Sequence, residues 1–221
     1  MDHHHNKHEW TEERSKRFIR LVKEKVYKSR YIPFARKIVY FMEKYKIDLN
    51  STIVDIGCGP GYLLIEIRKI LPDIKIIGVD ASDLMINTAI EKAKELNIKN
   101  FEFKKAYAEN IPIQNSLIDL STCYNSLHDF KDWKLAIKEI FRILKPNGIF
   151  ILLDRSGAYP KWKFFSVIFR IGLRNAIRYF KTRHSWLDPK IIEKLMIDVG
   201  FQVLFLEKKE HYIIVGKKSN K

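Results

Sequence analysis

Cysteine is nearly missing from this 221-residue sequence. Only Cys58 and Cys123 occur, too few for a disulfide framework or a four-thiolate metal site. Glycine and proline number 9 and 7, which excludes a collagen-like or low-complexity chain. No apolar run reaches the roughly 18 residues that a membrane-spanning helix needs, and the opening MDHHHNKHEWTEER is too polar to read as a secretory signal. These shortages describe a globular protein of a reducing, cytoplasmic compartment. Its length suits one domain with an elaborated cap.

Acidic side chains are also in deficit, 26 against 41 Lys and Arg, for a formal charge of +15. The excess is not spread evenly. Residues 1–46 carry 13 basic and 6 acidic side chains, residues 47–154 carry 13 and 15, and residues 155–186 carry 8 and none. A nearly neutral centre is therefore flanked by two basic segments, whose partners are expected to be acidic or amphipathic. His3, His4, His5 and His8 with Glu9 form a His-rich tract of the kind that can bind metal. Nothing downstream supplies a second half-site, and the tract reads as a disordered tail with no metal expected.

Residues 11–28 and 34–46 have helical apolar spacing, with Pro33 expected to separate them. After Asn50 short apolar runs of strand length recur at 52–56, 74–79, 101–103, 117–122 and 148–153. Helical stretches at 62–71, 83–96 and 133–144 lie between them. Such alternation implies right-handed βαβ crossovers. Beyond residue 187 the order becomes helix, strand, strand, with Asp188-Pro189 opening the helix and Gly200 closing it. The expected fold is α/β and Rossmann-like: a seven-stranded, mostly parallel sheet with helices on both faces and the last two strands in an antiparallel hairpin. Within one domain we read a helical N-terminal cap at 1–46, a cofactor-binding core at 47–154, a helical lid at 155–186 and a terminal unit at 187–221.

The sharpest signal is Ile53-Val54-Asp55-Ile56-Gly57-Cys58-Gly59-Pro60-Gly61, a strand that runs into a glycine loop and then a helix. Its glycines permit a tight turn and close approach of a ligand. The spacing differs from a dinucleotide fingerprint, Pro60 removes an N–H that would face phosphate, and Asp55 adds a carboxylate. A cationic, amino-bearing ligand fits better than a pyrophosphate. Asp80 ends the second strand, where an acid can accept both hydroxyls of a ribose. A nucleoside with a charged amino-acid tail satisfies both aspartates, and S-adenosylmethionine has that shape.

VDIGCGPG, GVDAS, AYAENIP, DLSTCYNSLHDF and EIFRILKPNGIFILLD, in that order, resemble class I S-adenosylmethionine-dependent methyltransferases, in particular the ubiquinone and menaquinone biosynthesis group. The resemblance implies that Asp55, Gly57, Cys58, Gly59 and Gly61 surround the methionine part of the cofactor and that Asp80 takes the ribose. It further implies Ala81, Ser82, Met85, Ala108 and Glu109 near the adenine, and Cys123 and Tyr124 where methyl group and acceptor meet. Tyr107 stands where the family often has Asp. Met85 and Cys123 read equally well as core packing. His128, beside Asp129, reads either as a general base or as a satisfied structural pair.

At 100° per residue, Lys163, Arg170, Arg174, Arg178 and Lys181 fall within an arc of about 80° on one helix face. Arg170, Arg174 and Arg178 are thus candidate acceptor ligands. The stripe suits an acidic small molecule, an anionic membrane surface or RNA, or is simply solvated. The expected function is methyl transfer to a small apolar or acidic metabolite, lipid-like in character. The alternatives are an RNA methyltransferase and a cofactor-binding protein without transferase activity.

Overall fold

The computed structural model describes residues 10–48, 50–157, 169, 173, 186–209 and 211–219. Seven strands form one sheet: β1 Thr52–Ile56, β2 Lys75–Asp80, β3 Phe101–Lys105, β4 Ile118–Tyr124, β5 Leu144–Arg155, β6 Phe201–Lys208 and β7 His211–Lys218. Their order is β3-β2-β1-β4-β5-β7-β6. The first five are parallel, and β7 lies antiparallel between β5 and β6, so the expected terminal hairpin is present. The order reverses beside β1, between β1 and β4. Open α/β sheets bind ligands at such a switch point.

Each face of the sheet has its own apolar core. Ile53, Leu120, Ile151 and Val215 meet α2 (Ile32–Lys44) and α3 (Tyr62–Ile70) through Phe34, Ile38, Leu63 and Ile67. On the other face Val54, Phe150 and Ile214 meet α5 (Trp133–Ile143) and α6 (Pro189–Val199) through Ile137, Ile140, Ile192 and Met196. Burial on both faces explains why the central strands read as continuous apolar runs rather than alternating ones. Between β2 and β3 runs α4 (Asp83–Glu95), capped by the Ser82 hydroxyl, which accepts from Met85 N–H at 3.4 Å.

Pro33 does not break the N-terminal helix. α1 (Glu12–Leu21) continues through a π-helical stretch, Val22–Tyr31, straight into α2, and Pro33 is the second residue of α2. In an α-helix its ring would strike the carbonyl four residues back. The wider i→i−5 turn of the preceding stretch leaves room for it. β5 likewise begins earlier than the apolar pattern indicates, because Leu144 pairs with Ile118 before the register shifts to Leu120↔Ile149.

Candidate active site

The chain leaves β1 through a turn whose three glycines hold left-handed φ values of 72°, 53° and 73° at Gly57, Gly59 and Gly61. Space excludes a side chain at the first and last. A Cβ on Gly57 would lie 2.5 Å from Ser126 Cβ, and one on Gly61 2.9 Å from Ala89 Cβ. The N–H groups of Gly57 and Cys58 both donate to Val79 O, at 2.8 and 3.0 Å, which ties the loop to the end of β2.

Two carboxylates flank this loop. Asp55 is buried, and its Oδ1 accepts from the Thr122 hydroxyl at 2.8 Å. Burial, with a smaller push from Asp80, raises its pKa from 3.8 to about 7. Such a group is a carboxylate in want of a cation. Asp80 accepts from Gly59 N–H at 2.8 Å and from Ser82 N–H at 2.9 Å, one bond on each oxygen. Each oxygen keeps a second lone pair, enough for two vicinal hydroxyls. Withdrawal from water pushes the Asp80 pKa up, against these N–H donors.

After β4 the chain makes a 3₁₀ turn, Leu127–Asp129, pinned to the loop by the Ser126 hydroxyl donating to Gly57 O at 2.8 Å. His128 in this turn is buried, with Nδ1 at 2.5 Å from Asp154 Oδ1 and Nε2 at 3.7 Å from Asp129 Oδ2. Burial alone would disfavour the imidazolium. The charge and hydrogen bond of Asp154, with Asp129 behind them, outweigh it and raise the His128 pKa. α1 lies over the loop: Arg14 pairs with Asp129 Oδ1 at 2.9 Å, and the Ser15 and Ser82 hydroxyls are 3.3 Å apart. The site thus has a helical roof made by the N-terminal cap.

The remaining sequence candidates are distributed as follows. Tyr124 is half-buried, stacked on Phe34 at 4.8 Å and edge-on to Tyr31 at 5.1 Å. Burial pushes its pKa up to about 12, so it stays a phenol near neutrality. Cys123 points to the opposite face, among core aliphatics, and Cys58 is buried with Sγ at 3.5 Å from Gly59 O. Burial raises both thiols well above their ordinary value. Ala81 and Ser82 follow Asp80, and Met85 is buried in the first turn of α4. Ala108 is buried, Tyr107 is exposed, and Glu109 accepts from Asp132 N–H at 2.8 Å at the start of α5. Arg170, Arg174, Arg178 and the N-terminal histidines lie outside the described residues.

A glycine loop between two acids thus sits at the switch point of this sheet order. The methyltransferase domain family matches residues 47–186 of the chain. The chain belongs to that family. Demethylmenaquinone methyltransferase of Lactococcus lactis is 28% identical over 173 residues, covering 71% of this chain and 68% of the relative. A ubiquinone/menaquinone biosynthesis C-methyltransferase of Rickettsia prowazekii is 31% identical over 57% of this chain and 55% of its own length. A crystal structure of a putative S-adenosylmethionine-dependent methyltransferase from Methanococcus maripaludis aligns over 100% of this chain and 98% of its own, with a TM-score of 0.75 at 21% identity. One from Aquifex aeolicus aligns with a TM-score of 0.69 at 17% identity, over 95% and 99%. The seven-stranded Rossmann-like architecture and the resemblance to S-adenosylmethionine-dependent methyltransferases are both borne out.

Within this methyltransferase, several site residues were not singled out by the sequence. Thr122 anchors Asp55 and Asp154 anchors His128 across 67 and 26 residues of chain, and Ser126 supports Gly57. Asp154 is the penultimate residue of β5, at the same edge of the sheet where Asp80 ends β2, and an acid near a strand's carboxyl end is a signal that would have found it. Tyr31 and Phe34 offered no such signal, since an aromatic in an amphipathic helix reads as core. Among the described residues no helix is long and apolar enough to cross a membrane.

Proposed function

We propose that this chain transfers the methyl group of S-adenosylmethionine to a small apolar or acidic acceptor, lipid-like in character. The observation that carries the cofactor is the pair Asp55 and Asp80 on either side of one glycine loop. Asp55 suits the ammonium of the methionine part, and Asp80 the ribose hydroxyls. Two relatives carry names that refer to demethylmenaquinone and to ubiquinone/menaquinone biosynthesis. Quinones of that kind are apolar, which supports the acceptor class.

Held by Asp55, the glycine loop and Asp80, the cofactor would supply a methyl carbon already activated for displacement by its bond to a sulfonium sulfur. What remains for the protein is alignment, exclusion of water and removal of any proton on the attacking atom. α1 closes the loop from above. His128 takes the proton on Nε2, because Asp154 holds Nδ1 in the donor role, and the imidazolium so formed is balanced by Asp154 and Asp129.

Calorimetry with S-adenosylmethionine, S-adenosylhomocysteine and NAD tests the cofactor. Binding of the first two is expected, and Asp80→Ala should weaken it by about 1.5–3 kcal/mol through loss of a charged acceptor. Binding of NAD in their place defeats the proposal.

A further inference from the structure

Asp55, Thr122 and Tyr124 share one face of the sheet, since Asp55 pairs in register with Thr122 and strand side chains alternate. Tyr124 is two residues beyond Thr122, about 7 Å further toward the carboxyl edge. The same row continues sideways. Tyr124 pairs with Leu153 of β5, and Leu153 with Ile213 of β7, so three neighbouring strands present Tyr124, Leu153 and Ile213 side by side.

Above this row a cavity of about 360 Å³ lies between the sheet and the helix from the π-helical stretch into α2. Its floor is the row itself, and Phe34 closes one wall by stacking on Tyr124. Its rim is basic: Arg30, Lys37 and His211 all line it. Lys37 is balanced by Glu207 at 2.9 Å. Arg30 is exposed, and among the described residues no carboxylate lies within ion-pair distance of it. A volume of this size holds a small organic molecule rather than a solvent site. The apolar floor and the exposed Arg30 guanidinium on the rim call for two different parts of one ligand.

We propose that this cavity is the acceptor site and that it selects an acceptor with a flat or chain-like apolar body bearing one anionic group, a carboxylate or enolate. The apolar body lies over Leu153 and Ile213, and the anionic group meets Arg30. The reacting atom then approaches the cofactor past Tyr124, which lines the cavity on the sheet face that carries Asp55 and Thr122 and meets Tyr31 edge-on at 5.1 Å. Tyr124 and Tyr31 position the acceptor and exclude water. This inference rests on the proposed methyl transfer and names its acceptor class.

The test uses the full chain and two isosteric probes, 2-naphthoate and neutral 2-naphthamide, titrated calorimetrically with and without saturating S-adenosylhomocysteine. Naphthoate is expected to bind about tenfold more tightly than naphthamide, and Arg30→Gln to reduce that preference below about twofold. Leu153→Trp fills the cavity and should abolish binding of both probes while leaving S-adenosylhomocysteine affinity unchanged. Equal affinity for the two probes, a preference that survives Arg30→Gln, or undiminished binding in Leu153→Trp overturns the inference. Failure of S-adenosylhomocysteine to bind overturns the cofactor assignment instead, and the probe titrations without it still decide what the cavity selects.

Discussion

Asp154 grips His128 twice: one oxygen lies 2.5 Å from Nδ1, and the other accepts the backbone N–H of the same residue at 3.1 Å. The ring is therefore fixed in orientation and in tautomer, with Nε2 left to exchange a proton. The His128 pKa is raised above its ordinary 6.5. A raised histidine stabilises the fold fully below its unfolded value, and this contribution is lost as pH rises through the folded value. The base form, in contrast, accumulates with rising pH. Turnover of an acceptor that must lose a proton should climb through a midpoint above 6.5. Asp154→Asn should move that midpoint down, cut kcat by about 10²-fold or more, and lower Tm most at acidic pH. A rate profile that keeps its midpoint in Asp154→Asn leaves His128 as a purely structural residue.

Asp55 predicts the opposite linkage between pH and ligand. With its pKa raised to about 7, it penalises folding progressively as pH rises from about 4 to 7, since the unfolded chain ionises first. A bound ammonium needs the carboxylate form. Below pH 7, binding of S-adenosylmethionine should therefore expel up to one proton, and affinity should rise with pH until it levels near 7. Calorimetry in two buffers of different ionisation heat counts that proton. Asp55→Asn should bind weakly and release none. Equal heats in both buffers at acidic pH for the native protein defeat the assignment of Asp55 to the ammonium.

The central strands were legible because burial on both faces writes itself as short apolar runs with helices between, and the glycine loop because left-handed φ at Gly57 and Gly61 leaves few alternatives. The start of β5 was not, since Lys145, Pro146 and Asn147 carry no apolar pattern and are recruited only by pairing next to Ile118. Nor was the unbroken N-terminal helix, because the π-helical turn that accommodates Pro33 is a property of backbone spacing rather than of composition. Asp55 and Asp80 announced themselves by position on their own strands. Asp154, Thr122 and Tyr31 act through partners distant in sequence, and no local pattern records such contacts.

Gly57 has two reasons to be glycine, backbone strain and steric contact, and a set of variants can weigh them. Gly57→Ala places a Cβ 2.5 Å from Ser126 Cβ and 2.8 Å from Ser126 Oγ, while also holding φ at 72°. The φ value alone costs about 1–2 kcal/mol for a residue with a Cβ. The contact adds to it unless the 3₁₀ turn retreats, and that turn carries His128. Gly57→Ala should therefore lower Tm and weaken S-adenosylhomocysteine binding together. Adding Ser126→Gly removes both close atoms but leaves φ and Phe130 Cε1, 3.1 Å from the new Cβ. It also sacrifices the Ser126 hydrogen bond to Gly57 O, so the double variant should recover only part of the lost stability. Thermal unfolding of the single and double variants reads the difference directly. With Ser126→Gly alone as the reference for that lost bond, a Gly57→Ala penalty that does not shrink in the Ser126→Gly background would mean that contact with Ser126 is no part of the demand for glycine here, and that the turn bearing His128 is free to move away from the loop.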